Sequence, residues 1–157
     1  MSYTVRFAEE NDIPAIIELL KQVNKVHYDG RPDLFKPATK YSPEDLKKIL
    51  SNDLTPVFVC LDENGRVSGH GFCILQRPEN TRLLNDITTL YIDDICVDEA
   101  ARGRHIGKAL YEHILEFARQ KGCYNVTLNV WNCNPGAMKF YENMGLKPYK
   151  VGMEKIL

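Results

Sequence analysis

The sequence lacks the features that mark membrane proteins, secreted proteins and polyanion-binding proteins. No apolar run approaches the roughly 20 residues that span a bilayer. Twenty basic and 21 acidic residues leave a formal net charge of −1, which gives no electrostatic reason to expect nucleic acid or an anionic membrane as a partner. The first six residues lack the basic-then-apolar pattern of a signal peptide. We therefore expect a cytoplasmic protein with neither nucleic-acid nor membrane partners.

The sequence also lacks paired cysteines. The five cysteines are odd in number and form no CxxC pair, so neither a disulfide framework nor a zinc site is expected. Cys60, Cys73 and Cys96 lie in apolar runs, which favours small core residues over reactive thiols. The spacing of His70 and Cys73 puts them on opposite faces of a strand, so they make a poor metal site. We expect no metal.

Hydrophobic periodicity and turn signals predict the element order β-α-α-β-β-β-α-β-α-β-β. The β-α-β unit from Tyr91 to Trp131 implies two parallel neighbouring strands, and the turn at 62–65 implies an antiparallel hairpin before it. We therefore expect one α/β (mixed α+β) domain over residues 1–157, with a central mixed sheet and helices on both faces. The predicted strands are Tyr3–Phe7, Val57–Leu61, Val67–Leu75, Ile87–Val97, Asn125–Trp131, Leu146–Tyr149 and Gly152–Ile156. The helices are predicted to begin near Asp12, Ser42, Ile106 and Pro135, with an irregular stretch at 27–41.

A basic, glycine-containing turn at residues 102–107 joins a predicted strand to a predicted helix. Gly103 and Gly107 allow the backbone to turn tightly and to approach a ligand. The unpaired N–H groups at the start of the helix form an anion site suited to a pyrophosphate, and Arg102, Arg104 and Lys108 add positive charge. A basic turn that only starts a helix is the alternative. Neither a P-loop nor a complete GxGxxG fingerprint is present.

Two blocks of sequence resemble the GNAT N-acetyltransferases. Val97–Leu110 resembles the signature Q/R-x-x-G-x-G/A that follows a strand, and Asn134–Leu146 resembles the block N-x-x-A-x-x-F-Y-x-x-x-G-F. Met153–Lys155 is similar to the closing strand of many members. His105 stands at the first signature glycine, and histidine is among the residues that best tolerate a positive φ. The resemblance implies a three-layer fold with a splayed parallel strand pair.

The resemblance also implies that acetyl-CoA is the cofactor and that it lies where the two parallel strands splay. Main-chain groups of Ile95 and Val97 would pair with the pantetheine arm, and Asn134 would bind the pantetheine or phosphate region. The full set of implied cofactor contacts is Ile95, Cys96, Val97, Arg102, Gly103, Arg104, His105, Ile106, Gly107, Lys108, Asn134 and Tyr141.

Acetyl transfer by direct attack of an amine on the thioester needs a donor to the leaving thiolate, a polarised carbonyl and a neutral amine. By family resemblance Tyr141 is the donor; packing beside Phe140 is its alternative role. The backbone N–H of Cys96 is our candidate to polarise the carbonyl. Adjacent strand residues point to opposite faces, so one of Asp93 and Asp94 is expected to reach the cleft.

By resemblance to polyamine acetyltransferases, Asp93 is the candidate base, directly or through water. The alternative is that the two aspartates cap loops or pair with Arg or Lys. Acceptor contacts are expected in the variable segments 27–41 and 76–85, with His27, Tyr28, Arg31, Asp93 and Asp94 as candidates, or those segments have no function.

The acids favour a primary amine on a small cationic molecule, such as a polyamine, an aminoglycoside or a lysine-like compound. A protein N-terminal or lysine acetyltransferase is one alternative, and an acyl-CoA sensor without turnover is another. We expect a homodimer, as in many members of the family.

Overall fold

The computed structural model describes residues 2–157. Its strands are β1 (Thr4–Phe7), β2 (Val57–Leu61), β3 (Val67–Gln76), β4 (Thr89–Val97) and β5 (Asn125–Leu128). Its α-helices are α1 (Ile13–Gly30), α2 (Pro43–Leu50), α3 (Ile106–Gln120) and α4 (Pro135–Asn143). Single turns of 3-10 helix at Glu10–Asp12 and Glu99–Ala101 precede α1 and α3.

The five strands form one sheet in the order β1-β2-β3-β4-β5. The first four strands are antiparallel to their neighbours, whereas β4 and β5 are parallel and are connected by α3. Helices cover both faces, since one apolar cluster lies between the sheet and α3 and the other between the sheet and α1 with α2. The predicted mixed sheet is therefore confirmed.

Local sequence signals account for most element boundaries. Ser42 caps α2 by accepting from the Asp45 amide, and the Asp45 carboxylate accepts from the Ser42 amide in return. Helix α3 spans the predicted range, and Gly122 follows it with a φ of +71°. Gly65 takes a φ of +74° in the hairpin turn between β2 and β3. Cys60, Cys73 and Cys96 are buried, as expected of core residues.

Two predicted boundaries differ in the structure. Helix α1 runs on to Gly30, so the first part of the stretch predicted as irregular is helical and places His27 in the last turn of that helix. Strand β5 ends at Leu128 rather than Trp131. Its pairing with β4 ends there too, at Ile92↔Leu128, because the two strands then separate.

The two predicted C-terminal strands are absent from the described residues 2–157. Residues 146–157 have no regular secondary structure, although Tyr149, Val151 and Met153 alternate with polar or small residues as in a strand. A strand needs a neighbour to satisfy its backbone groups, and this segment pairs with no strand in the sheet. Glu154 instead forms an ion pair with Arg31 at the end of α1.

Among residues 2–157, no helix is both long and apolar enough to cross a membrane. The cytoplasmic location stays a prediction.

Candidate active site

The turn before α3 adopts the left-handed conformation that its sequence allows. Gly103 has a φ of +79°, and His105 has a φ of +61° and a ψ of +19°. The position of the signature glycine therefore does require a positive φ, and histidine adopts it here. The chain turns at His105, so α3 starts at Ile106.

The N-terminus of α3 faces outward with positive charge around it. Its N-cap, His105, makes no side-chain capping hydrogen bond, so the first amides of the helix have no partner from that side chain. Arg102 and Arg104 are exposed, and Lys108 is held loosely by Glu112, with Nζ 3.7 Å from the carboxylate. Unpaired amides, the helix dipole and these cations together favour an anion.

Beyond Ile92 the main chain of β4 has two different sides. The Asp98 amide donates to the Ser68 carbonyl at 2.9 Å, so these two residues form a hydrogen-bonded pair at the end of the antiparallel ladder between β4 and β3. Such pairs recur at every second residue of each strand. Cys96 lies opposite His70, so its amide points toward β3. The main-chain groups of Ile95 and Val97 point the other way, toward the gap left by β5.

This alternation changes one assignment made from the sequence. A Cys96 amide that points toward β3 does not face the gap, so it is badly placed to polarise a carbonyl there. The Cys96 thiol also points away, into the interface with α1, where Sγ lies 3.3 Å from the Leu19 carbonyl. Burial, together with the charge of Asp94, raises the pKa of this thiol to about 12, so it is a packed side chain and no nucleophile.

A cleft of about 2250 Å³ opens where β4 and β5 separate. This exceeds the roughly 300–1000 Å³ of a typical small-ligand pocket, so the cleft has room for two substrates. Tyr141 of α4 lines it together with Asp93, Asp94 and Ile95 of β4. Burial raises the pKa of the Tyr141 phenol, and the nearby charge of Asp94 raises it further, so Tyr141 stays protonated at neutral pH.

Both adjacent aspartates reach the cleft because β4 contains a β-bulge. The register with β3 shifts between the pairs Phe72↔Asp94 and Cys73↔Ile92, so Asp93 is the extra, unpaired residue. The expectation that adjacent residues face opposite sides assumed a regular strand. The bulge breaks that alternation and aims both carboxylates at the α1 side of the sheet.

The two carboxylates have different partners. Asp93 accepts hydrogen bonds from Lys40 at 2.8 Å and from the Tyr41 hydroxyl at 2.9 Å. Asp94 bonds to Nε2 of His70 at 2.8 Å. The Phe72 ring lies between a partner of each aspartate, because it packs against both Tyr41 and His70. Asp93 is therefore neutralised by a cation, whereas Asp94 is held by an imidazole.

Comparison with known proteins identifies the family. A profile of the Acetyltransferase (GNAT) family matches residues 20–146. The chain belongs to the GNAT acetyltransferase family. This acetyltransferase is 30% identical to glucosamine 6-phosphate N-acetyltransferase of Trypanosoma brucei brucei, covering 95% of this chain and 92% of that one. It is also 30% identical to glucosamine 6-phosphate N-acetyltransferase 1 of rice, Oryza sativa subsp. japonica, over 97% of this chain and 86% of the relative.

A solved structure supports the same conclusion. A mutant of the BH1408 protein from Bacillus halodurans superposes with a TM-score of 0.94 at 26% identity, covering 98% of this chain and 99% of the other. The three-layer GNAT fold with a separated parallel strand pair is thus confirmed. The chain is an N-acetyltransferase, and the family to which it belongs uses acetyl-CoA as the acetyl donor.

Only some of the residues predicted to bind the acceptor of this acetyltransferase lie together in the cleft. His27 and Arg31 line the cleft with the two aspartates, whereas Tyr28 is not among its lining residues. Burial lowers the pKa of His27, whose ring stacks on Phe35, so this imidazole is neutral at pH 7. Arg31 forms ion pairs with Asp33 and Glu154.

Asn134 serves first as the N-cap of α4. Its side-chain oxygen accepts from the Ala137 amide at 3.2 Å. The residue also lines the cleft, so its amide nitrogen is the group left to meet a ligand.

Three residues at the site were not assigned to it from the sequence. Lys40, Tyr41 and His70 hold the two aspartates. For His70 a signal did exist, since a lone histidine inside the apolar strand Val67–Gln76 must find a polar partner if it is buried. Its partner depends on the register with β4, which one sequence does not supply.

Proposed function

We propose that this acetyltransferase moves an acetyl group from acetyl-CoA to a primary amine of a small polar molecule, by direct attack of the amine on the thioester. One observation carries the proposal. Tyr141, a protonated phenol, and Asp94, a carboxylate without a Lys or Arg partner among the described residues, line the same cleft where β4 and β5 separate. A proton donor for a leaving group and an acceptor for an ammonium proton therefore face one space.

Residues of the cleft, together with the turn before α3, which does not itself line the cleft, fit acetyl-CoA. The pyrophosphate belongs at the turn formed by Arg102–Lys108, where the uncapped start of α3 favours an anion. The outward main-chain groups of Ile95 and Val97 suit the amides of the pantetheine arm. Bound there, acetyl-CoA would supply the activated acyl group. We assign polarisation of the thioester carbonyl to the amide of Ile95 in place of Cys96, because the Ile95 amide faces the gap.

Tyr141 stabilises the leaving thiolate by hydrogen-bond donation. An ordinary phenol titrates near 10 and a thiol near 8.5, so complete proton transfer to the thiolate is already uphill by about 2 kcal/mol. Burial raises the pKa of Tyr141 further and makes full transfer costlier. A hydrogen bond that strengthens as negative charge develops avoids this cost.

The charges at the acceptor end favour a cationic amine. Asp93 and Asp94 line the cleft, and Arg31, which follows α1 and also lines the cleft, is already paired with two acids. A protonated amine is therefore attracted to this end. Polyamines, aminoglycosides and lysine-like compounds have that chemistry.

An amino sugar is the second candidate acceptor. Two relatives carry the name glucosamine 6-phosphate N-acetyltransferase and match over almost the whole chain. A sugar phosphate would need a cation near the cleft. Lys40 is committed to Asp93, but Lys36 and Lys147 also line the cleft and form no ion pair among residues 2–157. The lining is therefore compatible with glucosamine 6-phosphate as well as with glucosamine.

A panel of amines tests the proposal. Acetyl-CoA is mixed with the enzyme and polyamines, aminoglycosides, lysine, glucosamine, glucosamine 6-phosphate or N-terminal peptides, and free thiol is measured. We expect turnover with small cationic amines. Acetyl-CoA binding by calorimetry without thiol release from any amine would favour a sensor, and peptides as the best acceptors would favour a protein acetyltransferase.

We also propose that the chain is a single domain and forms a homodimer. Both apolar clusters pack on the one sheet, which supports a single domain. Tyr149, Val151 and Met153 are 67%, 77% and 90% exposed, which leaves the C-terminal segment 147–157 with an uncovered apolar side. A second copy of the chain is the occupant we propose for this surface.

A further inference from the structure

His70 is a buried polar side chain that the reaction described above does not use. It is 0% exposed, on β3, with Phe72 packed edge-on against its ring at 4.9 Å. Gly69 and Gly71 on either side bring α3 against the backbone of β3, because a Cβ on Gly71 would lie 2.8 Å from Ile114. The histidine backbone is therefore held from the opposite face of the sheet.

The hydrogen bonds of His70 define its protonation. Nε2 lies 2.8 Å from Oδ2 of Asp94, whereas no residue among 2–157 forms a hydrogen bond with the buried Nδ1. A proton on Nδ1 would be an unsatisfied buried donor, which is unfavourable because nothing replaces its lost hydration. The proton therefore sits on Nε2, and a neutral imidazole donates it to a carboxylate acceptor.

Asp94 interacts with titratable groups from several elements around the cleft. His27 of α1, Tyr41 before α2 and Tyr141 of α4 all interact with its charge. On β4 the neighbouring Asp93 and Cys96 complete this set. His27 and Tyr141 are neutral at pH 7, so neither donates a compensating positive charge, and Lys40 binds Asp93. Among residues 2–157, His70 is thus the one side chain that hydrogen-bonds to the Asp94 carboxylate.

We propose that His70 is a positioning residue that holds Asp94 as the base of the reaction, whereas Asp93 is a structural anchor for Lys40 and Tyr41. This assignment rests on the proposed function. The ammonium group of the acceptor gives one proton to Asp94, which passes it to solvent. The nitrogen lone pair forms the new C–N bond as the C–S bond breaks. The thiolate, hydrogen-bonded to Tyr141, then takes the second nitrogen proton and becomes a thiol.

The geometry explains why a histidine serves here. His70 has its ring locked by Phe72 and its backbone locked by the contact of Gly71 with α3, so Asp94 keeps one rotamer aimed at the cleft. A neutral donor orients the Asp94 carboxylate and leaves its charge uncompensated, whereas the ammonium of Lys40 occupies Asp93.

Nitrogen-15 NMR of the free wild-type enzyme tests the tautomer without any assay of activity. With histidine labelled, we expect the His70 signals of a ring that carries its proton on Nε2 and none on Nδ1. An imidazolium, or a ring protonated at Nδ1, would overturn the proposal.

Kinetics with four variants tests the roles. Asp94→Asn keeps an oxygen acceptor for His70 but removes the base, and we expect kcat/KM for the amine to fall at least 100-fold. Asp93→Asn should cost less than tenfold. His70→Phe replaces the hydrogen-bond donor with a ring of similar shape, and we expect kcat to fall at least tenfold. The Kd of acetyl-CoA should not change, and the acidic limb of the pH–rate profile should move. His70→Gln, which can donate from a comparable position, should recover most of the loss.

The matched control is His113→Phe on α3. The His113 ring packs edge-on against Phe58, a contact that phenylalanine can keep, and it does not line the cleft, so this variant should leave all parameters unchanged. Equal activity of His70→Phe and wild type, or a larger loss in Asp93→Asn than in Asp94→Asn, would overturn this proposal alone. A wild-type enzyme that acetylates no amine would overturn the proposed function instead, while the NMR result would still decide how His70 holds Asp94.

Discussion

Gly107 lies directly against the ring of Phe140. A Cβ built on the glycine would be 3.2 Å from Cζ of that ring and 3.5 Å from a methyl group of Val97. The first turn of α3, which faces the cofactor phosphates in our proposal, thereby contacts α4 one residue before Tyr141. The two sequence blocks that resemble the family meet at this contact.

Replacing Gly107 with valine should disturb this contact and the start of α3. We expect the affinity for acetyl-CoA, measured by calorimetry, to fall at least tenfold, because the added methyl groups push Phe140 away and crowd the pyrophosphate. Circular dichroism should show an intact fold. Gly107→Ala is the graded control and should give a smaller loss. Wild-type affinity in the valine variant would rule out the turn as the pyrophosphate site.

Removing the Tyr141 hydroxyl should slow turnover without loosening the cofactor. We expect Tyr141→Phe to lower kcat roughly 10- to 100-fold, because the lost hydrogen bond matters most as thiolate charge develops. The Kd of acetyl-CoA should change less than threefold. Normal turnover at saturation, with weaker cofactor binding, would show that Tyr141 only packs beside Phe140.

The rate should rise with pH and depend on salt. An alkyl ammonium titrates near 10.4, so only about one amine in a thousand is neutral at pH 7. Because burial raises the pKa of Tyr141, its deprotonation should cause no fall in kcat/KM below pH 10. Higher salt should raise KM for a cationic amine by screening the aspartates. A descending limb near pH 9, or no salt effect, would contradict this account.

Asp12, at the start of α1, should make folding stability depend on pH. Burial tends to raise the pKa of Asp12, but hydrogen bonds from Arg6 and the Glu9 amide outweigh it and leave the pKa lowered. Its stabilisation is therefore present above the unfolded pKa near 3.9 and is lost as the pH falls through the folded value.

Asp12→Asn should lower the free energy of unfolding by about 1–3 kcal/mol at pH 7, measured by urea titration. The difference between variant and wild type should shrink as the pH falls below 4. A constant difference from pH 7 to pH 3 would mean that the ion pair with Arg6 does not account for the loss.

The C-terminal segment should control the oligomeric state. Light scattering at tens of micromolar should give the mass of a dimer for the whole chain. A truncation after Lys147 removes the exposed apolar side chains and should give a monomer. A monomeric full-length chain would reject the homodimer, and a dimeric truncated chain would place the interface elsewhere.

Local signals in the sequence were sufficient for most of the fold. The capping box of Ser42 and Asp45 and the apolar periodicity of Ile106–Gln120 depend on neighbours within one or two turns, so they can be recognised without long-range contacts. The positive φ at His105 could also be anticipated locally, because the position matches a signature glycine and histidine is among the non-glycine residues that tolerate this conformation. The two strands predicted at the C-terminus were wrong, since alternation favours a strand but does not show that a neighbour pairs with it, and residues 146–157 pair with none of the five strands.

The sequence by itself determined the family and the order of elements from β1 to α4, and it predicted the turn at 102–107 to which we assign the phosphates, because short-range patterns encode them. Only the tertiary structure decided which carboxylate has which partner. A bulge of one residue at Asp93 reverses the alternation of β4, and the register between β3 and β4 sets His70 beside Asp94. Register depends on the packing of the whole sheet, where a shift of one residue moves every side chain to the other face.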